Sequence, residues 1–157
     1  MKEQSIPSTE FLDLKTKIRE IHDSSIKHFL FMEEFIMKNT NIKRGQIYFC
    51  DIPKTVGSVY HSRRPVLVIS NNRNNFFSRC FTAIPISSRV EKLGKKQPTH
   101  VPLHTDCGLY RESIAMCENV CNYSKESLCD FICEIDENSE VFKEIEKALL
   151  IQIGMAD

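Results

Sequence analysis

The sequence predicts an α+β protein, with a small β-barrel or rolled sheet in the middle of the chain and helical segments at both ends. Strand-like segments recur at short intervals after residue 42, separated by turn residues, which is typical of a small barrel. Apolar residues recur at three- and four-residue spacing before residue 40 and after residue 137, which predicts helices there. With 157 residues, 41% of them hydrophobic, the chain can bury a sizeable core in a domain of ordinary size.

The first helical part covers residues 8–39. Its early apolar positions follow helical spacing and are Phe11, Leu14, Ile18 and Ile21. A polar break at residues 23–25 precedes a second helix over residues 26–38, in which apolar side chains point in nearly every direction. We expect this helix to pack against the barrel, a sister subunit or a partner protein, because so much apolar surface must be buried. The chain is therefore divided into an N-terminal helical extension, residues 1–41, and a barrel domain, residues 42–157.

Six strands are predicted in the barrel domain from short runs of apolar residues bounded by turn residues. They cover residues 46–51, 66–70, 80–86, 99–103, 113–120 and 131–135. The first alternates in character, whereas the second is an unbroken apolar run, as expected of a strand that is buried on both faces.

The segments between and after these strands have signals of their own. Residues 71–75 are rich in asparagine and predict a polar turn. Ser124 can cap a short helix that runs to about Asp130. The apolar spacing of residues 138–153 predicts a closing amphipathic helix that ends near Gly154.

Composition narrows the class of protein. No apolar run approaches the roughly 20 residues that span a bilayer, and residues 1–10 lack the pattern of a secretory signal. The seven cysteines are odd in number and irregularly spaced, so we expect reduced thiols in a cytosolic protein. Two pairs, Cys117 with Cys121 and Cys129 with Cys133, are spaced more widely than structural zinc usually requires. We interpret them as small buried side chains and expect no metal or other cofactor.

The net charge of zero hides a marked asymmetry along the chain. Residues 43–96 carry eleven basic and two acidic residues, whereas residues 97–157 carry four basic and twelve acidic ones. The basic block suits a polyanion, because each neutralised phosphate releases condensed counterions. The same block could instead pair with the acidic last third of the folded chain, and the sequence leaves both interpretations open.

Cationic and hydroxyl side chains border two of the central strands. Arg63 and Arg64 come just before the second predicted strand. Ser87, Ser88 and Arg89 come just after the third. Antiparallel pairing would bring the start of one strand close to the end of the other. The sequence therefore predicts one rim of a sheet that could hold and cleave a phosphodiester.

Six short motifs follow one another between residues 42 and 153. They are Lys43-Arg44-Gly45-Gln46-Ile47-Tyr48, Val56-Gly57-Ser58, Arg64-Pro65-Val66-Leu67-Val68-Ile69, Pro98-Thr99-His100-Val101, Arg111-Glu112-Ser113-Ile114 and Glu118-Asn119. Together they resemble the MazF/PemK/Kid toxin family. The resemblance implies an SH3-like barrel with a C-terminal helix, working as a homodimer. It also implies a metal-independent endoribonuclease that acts on single-stranded RNA, and an antitoxin protein that lies along the RNA-binding groove.

The resemblance points to site residues as well. The arginine of the family's Arg-Pro pair falls on Arg64, and its threonine falls on Ser87, which keeps a hydroxyl. A guanidinium can stabilise charge on a phosphate that the ribose 2′-OH attacks, giving a 2′,3′-cyclic phosphate and a 5′-hydroxyl end. Arg64 and Ser87 are thus the candidate catalytic residues. The candidate RNA-binding residues are Ser58, Tyr60, His61, Arg63, Ser88, Arg89, Glu118 and Asn119.

Each of these residues also has a plainer interpretation. Arg64 could form a surface ion pair with a C-terminal carboxylate, and Ser87 could cap its own backbone. Tyr60 could stack on a base or simply pack within its loop, and His61 is best read as a solvated loop residue. His100 and His104 are assigned no chemistry.

Three departures from the family pattern favour a rival function. Val59 stands where the family usually has glutamate, Cys121 where it often has arginine, and Met116 where one branch has arginine. The rival is a non-catalytic barrel that binds RNA or inhibits a protein such as a topoisomerase. Residues 1–41 have no counterpart in the compact family core. They could brace a dimer, dock a partner or occupy the groove as a built-in inhibitor.

Overall fold

The computed structural model describes Ile26 and residues 42–52, 62–90 and 97–157. By its internal contacts the chain divides into two units, Met1–Thr40 and Asn41–Asp157. The helices predicted over residues 8–39 lie outside the described residues, except that Ile26 is helical.

The described part of the second unit forms seven strands in an antiparallel sheet. They are β1 (Gln46–Ile52), β2 (Ser62–Val68), β3 (Cys80–Ser87), β4 (His100–Leu103), β5 (Ser113–Met116), β6 (Cys121–Ser124) and β7 (Leu128–Glu134). The strand order is β4-β5-β3-β2-β1-β7, and β6 pairs with β3 beside β5. No pairing between the described strands joins β4 to β7, so the sheet is open where the expected SH3-like barrel would be closed.

The described part of the second unit also contains two helices, α1 (Asn72–Phe77) and α2 (Glu140–Gln152). The Ser139 hydroxyl caps α2 by accepting a hydrogen bond from the backbone N–H of Phe142 at 3.2 Å. Among the described residues, no helix is long and apolar enough to cross a membrane.

Four local predictions need correction. Strand β2 begins at Ser62, so Arg63 and Arg64 lie within it and not before it. The Asn-rich turn predicted over residues 71–75 is mostly helix α1, because the Asn71 side chain caps it. The strand predicted over residues 113–120 is broken by a 3₁₀ turn, Cys117–Asn119, and resumes as β6. The helix predicted after Ser124 is only a 3₁₀ turn, Lys125–Ser127, and β7 follows it directly.

One face of the sheet packs under α2. The fully buried side chains of Phe142 and Ile145 contact a cluster to which β1, β2 and β3 contribute Ile47, Leu67 and Ile84. Burying an apolar side chain of this size contributes about 1.5–3 kcal/mol, so this layer accounts for much of the stability of the unit.

The opposite face of the sheet carries a second buried cluster, and we call it the site face. Its core members alternate with those under α2 along the same strands, as side chains in a strand must. They include Val66 and Val68 of β2, Phe81 and Ala83 of β3, and Tyr123 of β6.

Candidate active site

Arg64 and Ser87 lie on the site face of adjacent antiparallel strands. The paired residues of β2 and β3 run from Val68 with Ala83 to Val66 with Pro85. Arg64 lies two residues beyond Val66, and Ser87 lies two residues beyond Pro85, so alternation places both on the same face as these two residues.

The row of side chains continues onto the neighbouring strands. Cys50 of β1 is the Cα partner of Arg64, and Ile114 of β5 is the partner of Ser87. Both are fully buried. The strand positions of Arg64 and Ser87 are thus flanked by buried side chains on the neighbouring strands.

The Ser87 side chain is largely buried, with 7% of the residue exposed. Its Oγ accepts a hydrogen bond from the backbone N–H of Arg89 at 3.3 Å. This is the local capping contact that the plainer interpretation expects. It still leaves the hydroxyl hydrogen available, since a hydroxyl is both donor and acceptor. Ser88 and Arg89, just beyond the strand, are exposed.

Tyr123 lies near the half-buried Arg64, and sequence reasoning gave it no role. Burial raises the pKa of Tyr123 to about 12; Cys121 and Cys50 add to the rise, and the Arg64 guanidinium opposes it. The phenol is therefore neutral at physiological pH. Its pairing with Phe81 of β3 puts it on the site face. This placement could be inferred only from the pairing of the strands and not from the sequence alone.

Arg63 lies on the other face of β2, because consecutive side chains of a strand alternate. Its Nη2 is 2.5 Å from Oδ2 of Asp130, and its guanidinium lies 5.4 Å from the ring centroid of Phe49. The structure does not bring Arg63 to Arg64 and Ser87. Arg63 instead forms an ion pair with a carboxylate of the acidic last third of the chain. A pair of this kind was the plainer interpretation of Arg64.

Arg44 is neutralised in the same way. Its Nε lies 3.3 Å from Glu137 and its Nη2 2.8 Å from Glu146, while Nη1 donates to the carbonyl of Ile69. For Arg44 and Arg63, pairing within the folded chain is therefore the correct interpretation of the charge asymmetry.

Glu118 and Asn119 lie in the 3₁₀ turn between β5 and β6, next to His100 of β4. Glu118 Oε1 accepts hydrogen bonds from His100 Nε2 at 2.9 Å and from Asn119 Nδ2 at 3.1 Å. The two predicted groove residues are thus brought together, and a histidine to which the sequence analysis assigned no chemistry joins them.

His100 is also on the site face. Its Cα partner is Met116, which alternates with Ile114, the partner of Ser87. The sequence could have indicated this placement, because His100 alternates along the strand with Val101, which is buried under α2.

The remaining predicted site residues, Ser58, Tyr60 and His61, lie outside the described residues, as does Val59. Their proposed contacts with RNA stay predictions.

All seven cysteines are free. Burial raises the pKa of Cys117 to about 12, so this thiol stays protonated, whereas Cys121 is exposed and Cys129 and Cys133 are partly buried. Within residues 42–52, 62–90 and 97–157, no group of three or more His, Cys, Asp or Glu side chains could hold a metal ion.

Comparison with known proteins gives one consistent result. The family described as "PemK-like, MazF-like toxin of type II toxin-antitoxin system" matches residues 43–153. Endoribonuclease EndoA of Bacillus subtilis (strain 168) is 34% identical over 117 residues, which cover 74% of this chain and 97% of that protein.

Solved structures agree on the fold. MazF from Deinococcus radiodurans superimposes with a TM-score of 0.62 at 21% identity, over 73% of this chain and 97% of that one. An endoribonuclease from Mycobacterial species, in complex with its cognate antitoxin, has a TM-score of 0.59 at 23% identity, over 74% and 98% of the two chains.

Proposed function

This chain belongs to the PemK-like, MazF-like toxins of type II toxin–antitoxin systems, and we propose that it cuts single-stranded RNA without a metal ion, with Arg64 and Ser87 at the scissile phosphate. It is an endoribonuclease, as its relative EndoA is.

The observation that carries the proposal is the shared face of Arg64 and Ser87. Alternation along β2 and β3 supports this shared face, because each residue lies two positions beyond a paired residue of the site face, Val66 or Pro85. A guanidinium and a hydroxyl held on one face would contact two oxygens of one phosphate, an arrangement that stabilises developing charge.

In the proposed reaction the ribose 2′-oxygen attacks the adjacent phosphorus as its proton leaves to a base. The bond between phosphorus and the 5′-oxygen then breaks, and the departing oxygen takes up a proton. Arg64 stabilises the charge on the phosphorane oxygens through its charge-assisted donors. Ser87 donates to one of these oxygens and holds the phosphate in line. The products are a 2′,3′-cyclic phosphate and a 5′-hydroxyl end, with no net consumption of water in this step.

The proposed partners follow from the family. A cognate antitoxin binds the related mycobacterial endoribonuclease, and we expect one to cover the site face here. Homodimer formation and a cytosolic location are expected on the same ground. The family match begins at residue 43, so residues 1–41 lie outside it.

The test is cleavage of a long unstructured RNA by the full chain in the presence of EDTA. Arg64→Ala should lower kcat about 100- to 1,000-fold, the usual cost of one lost charge-stabilising donor. Ser87→Ala should lower it about 10-fold, for one neutral hydrogen bond. Ser87→Thr should restore most of the activity, because threonine keeps the hydroxyl.

Arg73→Ala is the matched control, since Arg73 is an exposed arginine of the same basic block on α1. It removes the same charge and should change kcat little. Unchanged cleavage by Arg64→Ala would remove the mechanism. Tight RNA binding by a wild-type chain that never cuts would favour the non-catalytic rival.

A further inference from the structure

Two thiols lie at the gap where the sheet is open. β4 and β7 stand at the two ends of the strand order, and no pairing between the described strands joins them. Cys107 ends the 3₁₀ turn Thr105–Cys107 that follows β4, and Cys133 is the last residue but one of β7. Both are partly buried and pack at the margin of the cluster under α2. The two cysteines therefore approach the gap from its two sides.

The residue that follows Cys107 is in contact with Cys133. A Cβ placed on Gly108 would lie 2.7 Å from Cβ of Cys133 and 3.3 Å from its Sγ. Consecutive Cα atoms are about 3.8 Å apart, so Cα of Cys107 lies within about 8 Å of Cβ of Cys133. A disulfide needs Cα atoms about 4.4–6.8 Å apart. Gly108 ends the turn with φ 86°, and a glycine at this point lets the turn make the small adjustment that a bridge would need.

The electrostatics of the two thiols agree with this proximity. Burial raises the pKa of Cys107, and the neighbouring Asp106 raises it further. Burial also raises the pKa of Cys133, and the Cys107 thiolate adds to the rise. Two thiolates repel each other in this way only when they are close. Because few thiolates are present at neutral pH, the pair stays reduced until it meets an oxidant in excess.

We propose that Cys107 and Cys133 form a disulfide under oxidising conditions, and that this bond ties the turn after β4 to β7 across the open edge of the sheet. The oxidant is a low-molecular-weight disulfide. The inference does not depend on the proposed function, because neither thiol is assigned a part in RNA cleavage. It makes the gap in the sheet a site of covalent modification.

The reaction proceeds by two exchanges. The Cys107 thiolate attacks one sulfur of the small disulfide, so a mixed disulfide forms and one small thiolate leaves. The Cys133 thiolate then attacks Sγ of Cys107, and the second small thiolate leaves. Two protein thiols are thereby oxidised to one disulfide, and the small disulfide is reduced to two thiols. The two protons lost by the protein thiols are taken up by the thiolates that leave.

The other cysteines are less suited to pairing. Cys50 is fully buried and is the Cα partner of Leu128, so alternation puts it on the opposite face from Cys129. Cys80 and Cys121 are both exposed, but Cys121 pairs with Ala83, three residues along β3 from Cys80. These two thiols also face opposite sides. Cys117 is fully buried.

The experiment is treatment of the folded full chain with excess oxidised glutathione at about pH 8.5, where more thiolate is present. Free thiols are then blocked with N-ethylmaleimide, and the tryptic peptides are identified by mass spectrometry. Peptide 97–111 contains only Cys107, whereas peptide 126–143 contains Cys129 and Cys133. Cys129→Ser therefore leaves a single thiol in the second peptide and is the matched control. In the wild type and in Cys129→Ser, most chains should carry the link between these two peptides, and dithiothreitol should remove it.

Thermal melts give a second readout. Oxidation should raise Tm by about 5–15 °C in the wild type and in Cys129→Ser, the usual effect of a disulfide on a unit of this size. Cys107→Ser and Cys133→Ser should show neither the link nor this rise. A glutathione adduct that persists on Cys107, a link between other cysteines, or two thiols that stay free would each overturn the inference. None of these results would bear on RNA cleavage, which is tested separately.

Discussion

Two adjacent arginines offer a sharp contrast, because Arg63 and Arg64 lie on opposite faces of β2. Replacing either with alanine removes one positive charge at the same place in the sequence. Arg64→Ala deletes the donors on the site face. Arg63→Ala deletes an ion pair with Asp130 whose side chains are 51% and 77% exposed.

The losses of catalytic rate expected for Arg63→Ala and Arg64→Ala differ by more than an order of magnitude. An exposed ion pair contributes about 0.2–1 kcal/mol to stability and is screened by salt, and a cation–π contact such as that of Arg63 with Phe49 adds about 0.5–1 kcal/mol at an exposed site. Arg63→Ala should therefore lower the free energy of unfolding by about 1 kcal/mol and change kcat/KM less than about 5-fold. Arg64→Ala should cost about 100-fold or more in kcat.

The assay is cleavage of a fluorogenic RNA in EDTA at two salt concentrations, with a denaturant melt of each variant. Equal losses of kcat in the two variants would refute the face assignment, since charge alone would then explain both. A large loss in Arg63→Ala with little change in Arg64→Ala would reverse it.

Three further predictions concern stability. Burial raises the pKa of Cys117 from 9.0 to about 12, so the thiol of the unfolded chain ionises at lower pH than that of the folded chain. The stability that is present below pH 9 is therefore lost as the pH rises towards 12, at about 1.4 kcal/mol per pH unit at most. In Cys117→Ala the free energy of unfolding should fall less steeply with pH over this range. Ser139→Ala removes the cap of α2 and should cost about 1 kcal/mol in a denaturant melt. Gly108 and Gly154 both have positive φ, but only at Gly108 would a Cβ meet Cys133, at 2.7 Å; Gly108→Ala should cost about 2–4 kcal/mol and Gly154→Ala about 1–2 kcal/mol by thermal melt.

Local sequence patterns were sufficient to predict the bounds of some strands and of the C-terminal helix. The bounds of β1 and β3 match their predicted ranges to within one residue, because each strand ends where turn residues begin. The C-terminal helix was predicted to within two residues at its start and one at its end, from its apolar spacing and Gly154. In these elements local preference and tertiary packing agree.

Long-range pairing decided the elements that sequence reasoning missed. Ala83 of β3 pairs with Cys121, and Ile86 pairs with Ala115. Three residues along β3 are therefore matched by six on the partner, and the three extra residues form the 3₁₀ turn Cys117–Asn119. Nothing in the local composition marks that turn. The polar residues of α1 have weak helix propensity, and its helical form depends on the cap from Asn71.

The candidate site was predictable in part. The two ends of an antiparallel pair of strands must meet, so a shared rim for Arg64 and Ser87 could be argued from the sequence, and their contact with one phosphate stays a prediction. The contact of His100 with Glu118 could not be argued, because it depends on the turn that follows β5. Which face Arg63 occupies depends on where β2 begins, and the apolar run alone misplaced that start.

The most direct measurement is the chemistry of the RNA ends made by the wild-type chain in EDTA, read by mass spectrometry of a single defined cleavage product. Attack by the 2′-oxygen predicts a 2′,3′-cyclic phosphate on one fragment and a 5′-hydroxyl on the other. A 5′-phosphate with a free 3′-hydroxyl, or cleavage that appears only when a divalent metal is added, would contradict the account.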